Sequence, residues 1–180
     1  MEKKILVNIA NNSSNGLGIG TIKEKEISNE LCSLILNELK INTEIDGNYI
    51  SITNPNPNII TLTPLIHSRN IALSICFNCF PIESARGTEA IVPFKSTHVE
   101  RELAKILVDN ISACLVTKNR GVRTEVTSFK QEPLFLISNY ENISLKICFI
   151  TNKADLLMYA DKKRILAKII AKCIYHYVSE

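Results

Sequence analysis

Several residues of this chain are of types, and at spacings, that could do chemistry. Cys76 and Cys79 are spaced as Cys-x-x-Cys, which suits a redox pair or half of a zinc site. No second such pair exists, and the apolar run around Cys76 reads as a strand, where positions three apart face opposite ways. Ordinary buried thiols are the reading that follows. Gly16, Gly18 and Gly20 suggest a phosphate loop, yet the Lys and Ser or Thr of a P-loop are missing and the dinucleotide-binding spacing is not met. His67, His98 and His176 are scattered over a loop, a helix start and the terminal helix, which suits surface or capping roles. Glu24 opens a helical pattern, where the helix dipole favours an acid whatever its function. None of these residues makes a site alone, so the elements that position them matter.

Ile5 to Ile9 is an apolar, β-branched run bounded by an Asn, Ser and Gly cluster, which predicts a strand and then a loop. From Glu24, the spacing of Ile27, Leu31, Leu34, Ile35 and Leu39 predicts a helix ending before Asn42. Short β-prone pieces at 48–53 and 59–63 flank a loop in which two prolines forbid regular structure. The apolar stretches 71–77 and 89–94 suit strands buried on both faces. Val99 to Leu115 has a helical period. Strands are then expected at 134–137 and 145–150, and a long amphipathic helix from about Asp161, with Ile165, Leu166, Ile169, Ile170, Cys173 and Ile174 inward. Strands alternating with three long helices predict an α/β sandwich in which helices flank a mixed, largely parallel sheet.

Composition bounds the function. The 180 residues, 46% of them hydrophobic, suffice for one substantial core, so a single domain spanning 1–180 is expected. The net charge is only +3, charges alternate in sign, Trp is absent, and no aromatics interleave with Lys and Arg. Nucleic-acid binding is not expected. No segment approaches the roughly 18 apolar residues that span a bilayer. The opening Met1 Glu2 Lys3 Lys4 leads into a strand rather than a signal peptide. Six cysteines spread over the whole length do not resemble a secreted disulfide scaffold.

Five short segments, in order, resemble the zinc-dependent N-acetylmuramoyl-L-alanine amidases over nearly the whole chain. Gly18 to Glu24 is similar to that family's Gly-rich loop with its Glu, and Ser74 Ile75 Cys76 Phe77 Asn78 Cys79 to its Ser-Ile-His-x-Asn-Ala strand. Gly87 Thr88 Glu89 resembles a Gly-x-Glu, Lys118 to Val122 an Asn-Arg-Gly turn, and Phe149 to Asn152 with Asp155 the segment before the last helix. The family's chemistry uses zinc on two His and one Glu, an open position for water, and a second Glu that moves protons. Asn11 falls at the first His, with Asn8 and Ala10 in place of the preceding Asp and Gly. Glu24 matches the ligand Glu, and Cys76 falls at the second His. Counting six back from Asn152 puts Lys146 at the catalytic Glu, and Tyr140 stands where the family has Pro. Glu141 is the only acid just upstream, so a slip of one or two residues would not restore the base.

The resemblance therefore implies a degenerate member with no catalytic residue, vestigial metal positions at Asn11, Glu24 and Cys76, and no retained zinc. An Asn amide is a poor zinc ligand, two donors rarely hold the metal, and a protonated Lys cannot prepare a water. A non-catalytic relative that binds a peptidoglycan fragment or a cell-wall protein is the leading expectation. The alternative is an active zinc amidase rebuilt from Glu24, Cys76 and a displaced His. A third reading is a subunit, as a homo-oligomer or beside an active amidase, that regulates or assembles with it. Without a signal peptide, the expected place is the cytoplasm, or the wall after lysis or in a spore.

Overall fold

The computed structural model describes residues 3–9, 23–45, 49–53, 59–63, 71–126 and 141–179. In chain order the elements are β1 (Lys3–Ile9), α1 (Glu24–Ile45), β2 (Tyr49–Thr53), β3 (Ile59–Thr63), β4 (Ile71–Asn78), β5 (Thr88–Val92), α2 (His98–Leu115), β6 (Asn119–Thr124), β7 (Glu141–Phe149) and α3 (Lys153–Ser179). The strands form one sheet in the order β2-β3-β1-β4-β7-β5-β6. It is mixed, as expected. The pairings β1–β4, β4–β7 and β5–β6 are parallel, while β1–β3, β2–β3 and β5–β7 are antiparallel.

The alternation of side chains along a strand divides the centre of this sheet into two unlike faces. Ile71, Leu73, Ile75 and Phe77 of β4 join Ile143, Leu145 and Ile147 of β7 and Ala90 and Val92 of β5 in the hydrophobic core. Leu31, Ile35 and Leu39 of α1, Leu103, Leu107 and Ile111 of α2, and Leu166, Ile170 and Ile174 of α3 complete it. Helix α3 packs against both other helices. Tyr159 links the layers: its ring meets Phe77 edge-on at 4.9 Å, and its hydroxyl donates to the Ile27 carbonyl at 3.2 Å. The intervening residues Ser74, Cys76, Asn142, Ser144 and Lys146 turn to the second face, yet are also buried.

Helix ends follow local chemistry. Thr97 and Glu100 form a reciprocal capping box that starts α2. Val116 ends it in the left-handed region, with φ 50 and ψ 45, a conformation costly for a β-branched residue. Helix α1 continues to Ile45, beyond the expected stop before Asn42. Helix α3 begins at Lys153, eight residues before the expected Asp161. Asn152 accepts from the Asp155 N–H at 2.9 Å and so caps it. The fully buried residue of that first turn is Asp155, a charge, which hid the apolar period. A further correction concerns the Asn-Arg-Gly segment, expected as a turn. It lies in β6 and pairs in parallel with β5 through a register shift, with Gly121 at φ 78. The expected strand at 134–137 lies outside the described residues. Among the described residues, no helix is long and apolar enough to cross a membrane.

Candidate functional site

The parallel strands β4 and β7 end side by side, and the start of α1 meets them there. Glu24 is the first residue of α1, and its Oε1 accepts from the Phe77 backbone N–H at 3.0 Å. The carboxylate therefore does more than complement the helix dipole, because it docks the helix start on the strand beside Cys76. Cys76 is fully buried, and its Sγ lies 3.3 Å from the Ser144 Oγ. In the ladder Cys76 is the direct partner of Lys146, and Lys146 is in turn the partner of Glu89. Paired residues project to the same face, so Cys76, Lys146 and Glu89 form one row across β4, β7 and β5. Only 2% of Lys146 is exposed.

Glu89 is held from several sides. Its Oε1 accepts from the Asn78 Nδ2 at 2.9 Å, and its Oε2 meets the Arg120 Nε at 3.2 Å and the Arg123 Nε at 3.5 Å. The Arg120 guanidinium also lies 5.2 Å from the centre of the Phe149 ring, within cation–π range. Behind this row, Asp155 is completely buried. It accepts from Gly87 N at 2.8 Å, Thr117 Oγ1 at 2.5 Å and Phe149 N at 3.3 Å, and pairs with the Arg86 Nε at 3.3 Å. That knot fixes the entry to β5 against the exit from β7. Gly87 is required in it: at φ +122 an added Cβ would fall 2.4 Å from the Lys118 carbonyl oxygen.

Of the residues singled out from sequence, Glu24, Cys76 and Lys146 come together, whereas Asn11, His67 and the Gly16 to Gly20 segment lie outside the described residues. His98 opens α2 with its imidazole 4.0 Å from Glu102. Because β5 runs antiparallel to β7, the start of α2 lies at the opposite end of the sheet, where Thr97 donates to Glu141 at 2.8 Å. Glu141 is thus far from Lys146 and does not substitute for it. His176 is in the last turn of α3, roughly 35 Å along the helix from Lys153 at 1.5 Å per residue. All six cysteines are free; Cys32, Cys76 and Cys148 are buried, while Cys79, Cys114 and Cys173 are half-buried. Burial, with Cys76 nearby, pushes the Cys32 thiol up to about 12, and burial holds Cys148 well above its ordinary range. These are neutral packing thiols at pH 7.

As a zinc site, the described residues fall short. Glu24 and Cys76 are zinc-compatible donors where three protein ligands are needed, Glu24 already accepts a backbone N–H, and Lys146 shares the row. Among the described residues, no group of three or more His, Cys, Asp or Glu could hold a metal. Ser144 and Arg123 were not singled out from sequence. The alternation of Asn142, Ser144 and Lys146 with Ile143, Leu145 and Ile147 was the available signal for a polar face of β7.

A family model described as N-acetylmuramoyl-L-alanine amidase matches residues 11–176. No curated protein matches the chain. Solved structures with a similar fold include an N-acetylmuramoyl-L-alanine amidase of Nostoc punctiforme, with TM-score 0.67, 16% identity, and coverage of 98% of this chain and 97% of that one. The catalytic domain of an amidase from Bacillus (Paenibacillus) polymyxa has TM-score 0.65 and 17% identity, covering 98% of each chain. The CwlD amidase from Clostridioides difficile, solved in complex with the GerS lipoprotein, has TM-score 0.65 and 18% identity, covering 98% and 99%.

Proposed function

Because this chain belongs to the N-acetylmuramoyl-L-alanine amidase family, we propose that it is a non-catalytic member of that family, acting in cell-wall biology by binding a peptidoglycan fragment. The observation that carries the reading is Lys146, buried and directly opposite Cys76 in the ladder. In this reading Asn11, Glu24 and Cys76 are the former metal positions and Lys146 the former general base. Amide hydrolysis in this family needs a metal-bound water and a carboxylate that takes its proton. A Lys there offers no carboxylate to take that proton, and when protonated it opposes a metal ion beside it. Glu24 then serves to hold α1 on β4 through the Phe77 N–H.

The test is to purify the full chain without chelator, measure zinc by plasma mass spectrometry, and incubate the protein with peptidoglycan while following released stem peptides. The expected result is substoichiometric zinc, even after zinc is supplied, and no release. About one tightly held zinc per chain together with stem-peptide release would establish the alternative, an active enzyme rebuilt around Glu24 and Cys76 with one displaced His; loss of release in Cys76→Ala and Glu24→Ala would then follow. A protein partner is the second reading, as a homo-oligomer or an assembly with an active amidase. It is favoured by the complex of the similar CwlD amidase with a lipoprotein, and it predicts co-purification of a partner or a homodimer on sizing. Action in the cytoplasm, or at the wall after lysis or within a spore, fits both readings.

A further inference from the structure

The arginine pair on β6 is charged in a way its own partners do not balance. Arg120 and Arg123 both approach the same oxygen of Glu89 through Nε, at 3.2 Å and 3.5 Å. One carboxylate thus faces two guanidinium groups. Its other oxygen is taken by Asn78. Arg120 is fixed further by the Phe149 ring at 5.2 Å and by an Nη1 bond to the Arg86 carbonyl at 3.4 Å. Arg123 uses only its Nε, so its terminal Nη pair has no partner among the described residues, and its side chain is 37% exposed. The end-on fork of a guanidinium matches the two oxygens of a carboxylate.

We propose that Arg123, with Arg120 behind it, forms a carboxylate-binding clamp at the end of the row that contains Lys146 and Glu89. A second carboxylate on the Arg123 fork would bring the cluster of two guanidiniums and Glu89 to neutrality. Glu89, Phe149 and the Arg86 carbonyl preorganise the pair, so little side-chain freedom is lost on binding. The ligand class is a molecule with a free, planar carboxylate, and this inference rests on the wall-binding reading only in naming a peptide carboxylate of a peptidoglycan fragment as its source. Inorganic phosphate shares the charge but not the planar two-oxygen edge.

The test titrates the full chain, by calorimetry at low salt, with a muramoyl dipeptide bearing a free terminal carboxylate, with the same dipeptide capped as the amide, and with acetate and phosphate. The free carboxylate should bind at least about tenfold more tightly than the amide, and Arg123→Ala should remove about that factor, the worth of a lost charge-assisted bond. Arg123→Lys, which keeps the charge but not the fork, should recover only part of it. Arg123 is half exposed on β6, so a thermal melt is expected to show the variants folded. If the muropeptide binds wild type and Arg123→Ala equally, the clamp is overturned and the wall-binding reading stands. If acetate binds in an Arg123-dependent way while the muropeptide does not bind, the clamp stands and that reading falls. Phosphate binding more tightly than acetate would overturn the carboxylate assignment, and binding of none of the probes would overturn both.

Discussion

Replacing Asp155 with Asn should remove about 3–5 kcal/mol of stability, the range found when one partner of a buried charged pair is taken away. The carboxylate is completely buried. Its Oδ2 receives N–H groups from Gly87 at 2.8 Å and Phe149 at 3.3 Å, while its Oδ1 receives the Thr117 hydroxyl at 2.5 Å and lies 3.3 Å from the Arg86 Nε. Asn keeps the shape but turns one oxygen into a donor. If the amide nitrogen replaces Oδ2, two backbone N–H groups lose their acceptor, and neither can turn away. If it replaces Oδ1, the Thr117 hydroxyl can rotate to accept, but Arg86 then faces an N–H. Each bond to a charged group is worth about 1.5–3 kcal/mol, so the loss is a large share of a typical folding free energy of about 5–15 kcal/mol. Urea unfolding followed by circular dichroism reads it directly, as a lower midpoint at unchanged slope. Arg86→Ala should also destabilise, but by less than Asp155→Asn, because it leaves the buried carboxylate its two backbone N–H donors and the Thr117 hydroxyl. A loss under about 1 kcal/mol in Asp155→Asn would refute the view that this carboxylate ties β5 to the start of α3.

Three further outcomes follow from local geometry. Gly87→Ala should destabilise by roughly 3 kcal/mol or more, since positive φ and a carbonyl oxygen in the path of the new Cβ act together; an unchanged melting temperature would contradict the contact. Val116→Gly should raise stability by about 1 kcal/mol, because Val116 occupies the left-handed region with its side chain 66% exposed and has little packing to lose. Alkaline pH should destabilise the protein. Cys32 and Cys148 stay protonated in the fold past the ordinary thiol value of 9.0, so the unfolded chain releases their protons first. The stability they supply is complete below pH 9 and falls by about 1.4 kcal/mol per thiol for each unit above it, until the folded thiols ionise. Tyr159, also raised by burial, adds to the loss above pH 10, and urea midpoints from pH 7 to 10.5 would show it.

How much of this was legible from residues alone depended on whether a signal was local. Helix α2 was read to within a residue because Leu103, Leu107 and Ile111 keep its period, and the Thr97 and Glu100 capping box that starts it adds a local signal the reading did not need. The start of α3 was missed because Asp155 takes the buried position of the first turn while Leu157 is 60% exposed, inverting the usual pattern. Strand β6 was missed because Asn119 to Thr124 holds one large apolar residue, as suits an end strand of the described sheet. Glu24, Cys76 and Lys146 were found one by one, through a resemblance. That Lys146 lies between Cys76 and Glu89 is a fact of strand register, which links positions 76, 89 and 146 and has no trace in any one segment. The Arg120 and Arg123 pair on Glu89 depends on that same long-range pairing.

The placement of β7 between β4 and β5 has a consequence for how the chain is made. Until residue 149 has emerged from the ribosome, both strands that border β7 present an open edge of backbone amides and carbonyls. At synthesis rates of roughly 5–20 residues per second, β4 waits several seconds for its neighbour. During that interval the apolar strand Ile71–Asn78 is a template for other nascent chains. Slowing translation between β5 and β7 should increase aggregation, and the yield of folded protein should therefore depend on the speed of decoding through that stretch as well as on final stability.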